Sequence, residues 1–339
     1  MMAALRWAVV GPGRIAHRFA QALAGRPDAK LVAVHGRDSE RAHAFAQRYT
    51  EAGQAAVQVF PRLETLLAQS DVDAVYVATP HALHGAAVQA ALQHGKPVLC
   101  EKPLVPNAAQ GRALVELAQQ RQVFLMEAVW TRFLPLYAQV GSWLREQAIG
   151  PLRGLQSSFC FNATYDPQSR LFDPALAGGA LLDIGIYNLS VTRWVLQQAW
   201  GACPEPTQWS VHGRLAPTGV DLQLAATLVF EGGLSSQFTC ALDAASDNAL
   251  LIQGEHGTIR LPHNFWQATQ ALLQRTGQPP QTVDAPFAIN GFEGEIIEAM
   301  RCIRAGWCES PLMPHSESLA TLAWMDKLRG NLGLRYPFE

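Results

Sequence analysis

The stretch Leu5 to Ala16, LRWAVVGPGRIA, constrains this chain more than any other. An apolar run too short for a buried helix passes at once into a glycine turn and then into helical periodicity. Gly11, Gly13 and Ala16 stand in GxGxxG/A spacing, in the strand, turn and helix context that a dinucleotide fingerprint requires. Each position has its own physical task. Gly11 permits a tight turn, Gly13 lets backbone N–H groups approach a pyrophosphate, and Ala16 is small enough for the helix to pack on its strand. The helix opening at Arg14 and Ile15 aims its unpaired N–H groups and positive dipole end at that anion. Gly11, Gly13, Arg14 and Ile15 are therefore candidate cofactor contacts.

A chain of 339 residues exceeds what one hydrophobic core usually supports, so two domains are expected, 1–129 and 130–339. A formal net charge of -2 without a lysine or arginine run argues against nucleic acid and against electrostatic attachment to a membrane. A small molecule is the expected partner. The six cysteines lack CxxC spacing, which fits reduced thiols used in packing better than disulfides or a metal site. The first strand begins too early for a signal peptide, and no apolar run reads as long enough for a membrane span. The expectation is a cytoplasmic protein.

Lys30 to His35 reads as the second parallel strand, and it runs into Gly36 and Arg37 where an acidic side chain would grip a free ribose 2′-hydroxyl. A guanidinium suits a 2′-phosphate, so Arg37, with Ser39 and Arg41, favours NADP, with NAD less favoured. Asp38 stands one place too late for the acidic grip. The buried strand Ala74 to Ala78 ends at Thr79, Pro80, His81 and His84, read as a loop facing the cofactor before a helix from Gly85 to Gln93. The two histidines lack an accompanying carboxylate or thiolate cluster, so no metal is assigned to them. Pro97 to Cys100 is a further strand with Glu101, Lys102 and Pro103 at its end. A lysine there can donate to ribose or substrate oxygens and depress the pKa of a neighbouring acid. Trp130 and Arg132 lead out of this domain.

The second half changes character. Gly178 and Gly179 precede a helix expected over Ala180 to Val195, with Asp183 and Tyr187 one turn apart on one face. Strand candidates follow around Val211, at Leu222 to Phe230, Leu234 to Leu242, Ala249 to Gln253, Thr258 to Leu261 and Phe265 to Gln274. Without βαβ alternation, these make an antiparallel sheet.

GPGRIAHRFA, VLCEKP, FLMEAVWTRF, GGALLDIGIY and ESPLMPHSES together resemble the Gfo/Idh/MocA oxidoreductases, and within them the branch of dimeric dihydrodiol dehydrogenases and NADP-dependent D-xylose 1-dehydrogenases. The fold class expected is α/β: an N-terminal Rossmann domain followed by an α+β domain with a large, mostly antiparallel open sheet. The resemblance places Lys102, Asp183 and Tyr187 at the catalytic positions. It adds Glu101 and Arg132 to the cofactor contacts and gives Trp130, Phe159 and Phe292 to the substrate pocket. It also implies a homodimer through the open sheet face. The function implied is NADP-dependent hydride transfer from a cyclic polyol, an aldose at C1 or a trans-dihydrodiol. Tyr187 would serve as general base, helped by the charge of Lys102. The alternatives are a non-enzymatic dinucleotide sensor or co-regulator and a glucose-fructose oxidoreductase with tightly held cofactor.

Overall fold

The computed structural model describes residues 3–50 and 56–339. The chain forms two compact units. One runs to Trp130 and takes up Ala288–Leu322; the other comprises Thr131–Phe287 and Ala323–Glu339.

The first unit alternates strand and helix: β1 (Leu5–Val10), α1 (Arg14–Ala24), β2 (Ala29–His35), α2 (Ser39–Tyr49), β3 (Gln58–Phe60), α3 (Leu63–Leu67), β4 (Ala74–Val77), α4 (His81–Gln93), β5 (Val98–Glu101), α5 (Ala108–Arg121) and β6 (Leu125–Ala128). The described strands form one parallel sheet in the order β3-β2-β1-β4-β5-β6, so the order reverses beside β1. β4, β5 and β6 are buried along their whole length, as strands covered on both faces must be. The core of this unit gathers around Phe19, which stacks on Tyr76 at 3.9 Å and meets Trp7 edge-on at 5.4 Å. Each such pair adds about 1 kcal/mol beyond the area it buries. The three-residue strand β3 has no counterpart in the sequence reading, since so short a segment shows no period.

The helix α4 begins at His81, four residues earlier than expected, so His81 and His84 lie on a helix and not in a loop. Pro80 at its N-cap supplies a fixed φ of -58° and needs no N–H partner, which lets the helix start directly at the strand end.

The second unit contains α6 (Pro135–Arg145), β7 (Leu152–Cys160), α7 (Ile186–Trp200), β8 (Gln208–Leu215), β9 (Asp221–Val229), β10 (Ser235–Ala241), β11 (Leu250–Gly254), β12 (Gly257–Leu261), β13 (Gln270–Arg275) and β14 (Gln281–Asp284). The sheet order is β14-β13-β12-β11-β7-β10-β9-β8. It is antiparallel except that β10 runs parallel to β7, which matches the mostly antiparallel sheet expected. The excursion through α7, β8 and β9 is long enough to return the chain in the same direction, as a parallel pair requires. β14 was not expected, and the stretch expected as one strand from Phe265 splits into a short 3-10 turn, Phe265–Gln267, followed by β13. The helices α8 (Glu293–Arg304) and α9 (His315–Asn331) close the chain.

The helix expected from Ala180 is not continuous. Leu181–Gly185 forms a π-helical turn and the α-helix starts only at Ile186. By length and composition Pro174–Trp200, whose most apolar window has a mean hydropathy of 1.3, is apolar enough to cross a membrane, contrary to the sequence expectation. Its most apolar window is 89% buried inside the protein, so its apolar character is that of a core helix.

Candidate active site

In the first unit the glycine turn works by two different means. Gly11 has φ +92°, and a Cβ there would lie 2.8 Å from the backbone of Ala78 and Thr79, so only glycine lets β1 end against β4. A Cβ at Gly13 would meet nothing within 4 Å. That open space lies over the first turn of α1, which no side chain caps and no acidic residue occupies. Beside the same strand ends, the Thr79 hydroxyl is buried without a hydrogen-bond partner. Open space at a glycine, uncapped helix N–H groups and an orphaned hydroxyl are what a dinucleotide phosphate and ribose would fill.

The histidines after Thr79 divide their roles. The ring nitrogens of fully buried His84 lie 2.8 Å from the Pro103 and Thr79 carbonyl oxygens, so this side chain ties the β4 end to the turn after β5. Burial lowers its pKa. His81, 7% exposed, meets the His84 ring edge-on. After β2, Arg37, Ser39 and Arg41 are all exposed. Asp38 caps α2, accepting the Arg41 N–H at 3.0 Å, and its side chain stands 3.7 Å from the Arg41 guanidinium. The first carboxylate after β2 is thus committed to a helix end.

At the end of β5, the Tyr76 hydroxyl donates to Glu101 Oε1 at 2.5 Å, and the Lys102 N–H donates to Oε2 at 3.2 Å. Glu101 thereby fixes the backbone that presents half-buried Lys102. The wholly buried carboxyl of Glu295, on α8, is pushed well up by burial and by the charge of Glu101, against the pull of Arg18. The Trp130 and Phe292 rings lie 4.9 Å apart, tilted by 36°, with the Arg18 guanidinium over both. Phe292 itself is fully buried.

In the second unit Asp183 lies on the π-turn and Tyr187 on the first turn of α7. The i→i+5 bonding of a π-turn means that four-residue spacing no longer equals one α-turn, a departure from the geometry expected. Asp183 accepts from the Arg170 guanidinium at 2.7 Å. Tyr187 is 8% exposed, with Phe159 at 5.7 Å and Trp266 at 6.5 Å between ring centres. Phe159 and Trp266 lie face to face at 3.3 Å, 4° from parallel. Arg132, also in this unit, donates to Ser190 and Gln197 on α7 at 3.3 Å each.

Sequence reasoning missed Trp266, Arg170 and Glu295. A tryptophan inside a presumed strand gave no hint of the 3-10 turn that aims it at Phe159. Arg170 pairs with Asp183 from a loop whose course no local pattern encodes.

The comparisons with known proteins bear on both units. Residues 5–129 match an oxidoreductase family model described as an NAD-binding Rossmann fold, and residues 137–260 match the GFO/IDH/MocA C-terminal domain. The chain belongs to the Gfo/Idh/MocA oxidoreductase family. Among its relatives, the trans-1,2-dihydrobenzene-1,2-diol dehydrogenases of Homo sapiens and Danio rerio are 35% and 34% identical, each over 98% of both chains. A solved structure of a 3-ketoreductase from Actinomadura kijaniata in complex with NADP and TDP-benzene superposes with a TM-score of 0.82. It is 26% identical and covers 96% of this chain and 97% of its own. An aldose-aldose oxidoreductase from Caulobacter crescentus, 24% identical, shares the fold with a TM-score of 0.84 over 96% of this chain and 97% of its own. This Gfo/Idh/MocA protein is accordingly a dehydrogenase with a Rossmann NAD(P)-binding domain.

Proposed function

We propose that the protein is an NADP-dependent dehydrogenase of a cyclic polyol, oxidising an aldose at C1, as in D-xylose, or a trans-dihydrodiol, with Tyr187 as acid/base and Lys102 assisting it. The observation that carries this reading is the setting of Tyr187 beside the stacked Phe159 and Trp266 rings. Two parallel aromatic faces offer an apolar wall for the carbon side of a ring, and the phenol oxygen is the polar group beside it.

When bound, the cofactor supplies the hydride acceptor. The phenolic oxygen of Tyr187 takes the proton of the carbinol hydroxyl. A free phenol has a pKa near 10, so a positive charge must stabilise the phenolate, and Lys102 is assigned that task. Asp183 is already engaged by Arg170, which suits a group that orients the substrate and not one that abstracts its proton. Gly11, Gly13, Arg14, Ile15, Thr79, Pro80, His81, His84, Glu101 and Arg132 are assigned to holding the cofactor directly or shaping its site. Arg37, with Ser39 and Arg41, is assigned to the 2′-phosphate. Trp130, Phe159 and Phe292 are each assigned to substrate binding.

We further assign the protein a homodimer through the open sheet face and a cytoplasmic setting, where its six free cysteines stay reduced. Burial raises the pKa of Cys100, Cys160, Cys240 and Cys302, which suits packing residues.

The test is the initial rate of NADPH formation with D-xylose, D-glucose, myo-inositol and trans-benzene dihydrodiol, with NAD+ as control, on the parent and on Tyr187→Phe. A turnover with NADP+ that falls by about 10² to 10⁴ in the variant is expected. Silence of the parent across the panel despite NADP binding would favour a dinucleotide sensor.

A further inference from the structure

The π-turn that carries Asp183 is anchored by a carboxylate that the proposed chemistry does not use. Asp221, the first residue of β9, is completely buried, and its Oδ2 accepts the Leu181 N–H at 2.6 Å. Its Oδ1 has no hydrogen-bond partner and sits inside the space that a Cβ on Gly179 would need. Gly179 itself has φ +119°, so glycine is required there for conformation and for room alike. Downstream, the Asp183 N–H donates to the Gly179 carbonyl at 3.2 Å. At the far end of the turn, a Cβ on Gly185 would lie 2.9 Å from Cys240 Sγ on β10. Upstream, the Tyr336 hydroxyl donates to the Gly178 carbonyl at 2.6 Å. The turn is therefore fixed before it, at its start and at its end.

A π-turn is intrinsically less favourable than α-helix and persists where surroundings impose it. Relaxation to α-helix would slip the register by one residue and swing each side chain by roughly 100° about the axis. A buried carboxylate is the strongest acceptor available for the orphan N–H groups at the head of a helix.

We infer that Asp221 is a positioning residue for the reaction: by accepting the Leu181 N–H it holds the turn in its π form and so fixes where Asp183 and Tyr187 present their oxygens. The inference rests on the catalytic assignment of those two residues made above.

The electrostatics make the idea separable from simple packing. Burial pushes the Asp221 carboxyl up to about 7, with the Leu181 and Ala180 N–H groups and Arg329 pulling the other way. The other titratable groups facing it, Cys240 on β10 and Tyr336 in the C-terminal tail, are held neutral by burial. A carboxyl raised in the folded state favours folding most at acid pH, and that contribution is lost as pH rises through about 7. The charged form therefore costs stability in the very range where it is the better acceptor. A residue kept only for packing would not show these opposite signs.

The experiment compares the full-length parent with Asp221→Asn and Asp221→Ala across the pH range around neutrality. Expected is a kcat lower by about ten-fold for Asn, which keeps an acceptor without the charge. For Ala, which keeps neither, the loss should reach about 10²-fold. The KM for NADP+ should stay parental in both, and Asn should melt at or above the parental temperature on the alkaline side of neutrality. The parental kcat should fall as pH drops through about 7, and that limb should be absent in Asn. Hydrogen exchange of a peptide spanning residues 179–188 reads the turn without any substrate. It should quicken locally in both variants, so a protein silent on every polyol still decides the inference. Parental kcat and parental local exchange in Asn overturn it. So does exchange raised evenly through the whole sheet with a lowered melting temperature, which would make Asp221 a packing residue. If the Ala variant does not fold, Asn decides alone.

Discussion

At the scale of single residues, the proposed cofactor preference turns on where charges are already spent. Asp38 gives its carboxylate to the head of α2, while Arg37 is exposed and makes no ion pair among the described residues. The guanidinium is thus available for a bidentate grip on a 2′-phosphate, and the acid that could hold a 2′-hydroxyl is not. Arg37→Ala should raise the KM for NADP+ by at least about ten-fold, the scale of a charge-assisted hydrogen-bond pair, with little change for NAD+. Equal losses for both cofactors in steady-state kinetics would remove the 2′-phosphate assignment. Around Lys102 the same accounting holds. Glu101 is gripped by Tyr76 from one side and by the Lys102 backbone from the other, and burial together with the charge of Glu101 pushes the Glu295 carboxyl beside it well up.

Elements show why two glycines in one motif are not equivalent. Gly11 is demanded by β4, whose backbone lies too close for any side chain, whereas Gly13 borders empty space. Gly11→Ala should therefore cost about 2–4 kcal/mol of stability, from positive-φ strain and backbone overlap together, read as a lowered urea midpoint. Gly13→Ala should leave that midpoint within error yet weaken NADPH binding, measured by quenching of protein fluorescence, because its methyl would occupy the space left for the phosphate. Loss of stability without loss of affinity at Gly13 would reverse the assignment. The π-turn is the corresponding case in the other unit, where Gly179 makes room for Asp221 and Gly185 lets the helix pass Cys240.

At the scale of the whole molecule the open question is what covers the large sheet. One face packs against α7, as the bond from Asn188 to Ser157 shows. The other presents Gln156, Ser158, Thr227, Gln237, Thr239 and Arg260 around a shallow depression. That face is polar enough to stay wet, so the proposed dimer would pair through polar contacts. Sedimentation velocity should return a dimer whose dissociation constant rises with salt, as an interface carrying Arg260 and Asp247 implies. A monomer at high concentration and low salt would discard the pairing.

Local physics made much of this legible in the sequence. The glycine turn, the buried parallel strands and the position of Arg37 are set by spacing and residue type, and those survive without knowledge of distant partners, whereas the candidate catalytic trio rests on the family resemblance. Local signals failed wherever the outcome depends on segments far apart in the chain. The start of α4 at His81, the parallel pairing of β10 with β7 and the splitting of the stretch after Phe265 are fixed by neighbours with no sequence period. Asp221 shows the reason most plainly. It lies forty residues from Leu181 along the chain, and only the folded sheet brings its carboxylate to the backbone that turns an expected α-helix into a π-turn. Sequence determined which chemical groups are present and which elements carry them, because periodicity and turn chemistry act over a few residues. Tertiary structure alone decided which of those groups are spent on one another, because burial and pairing are properties of contact.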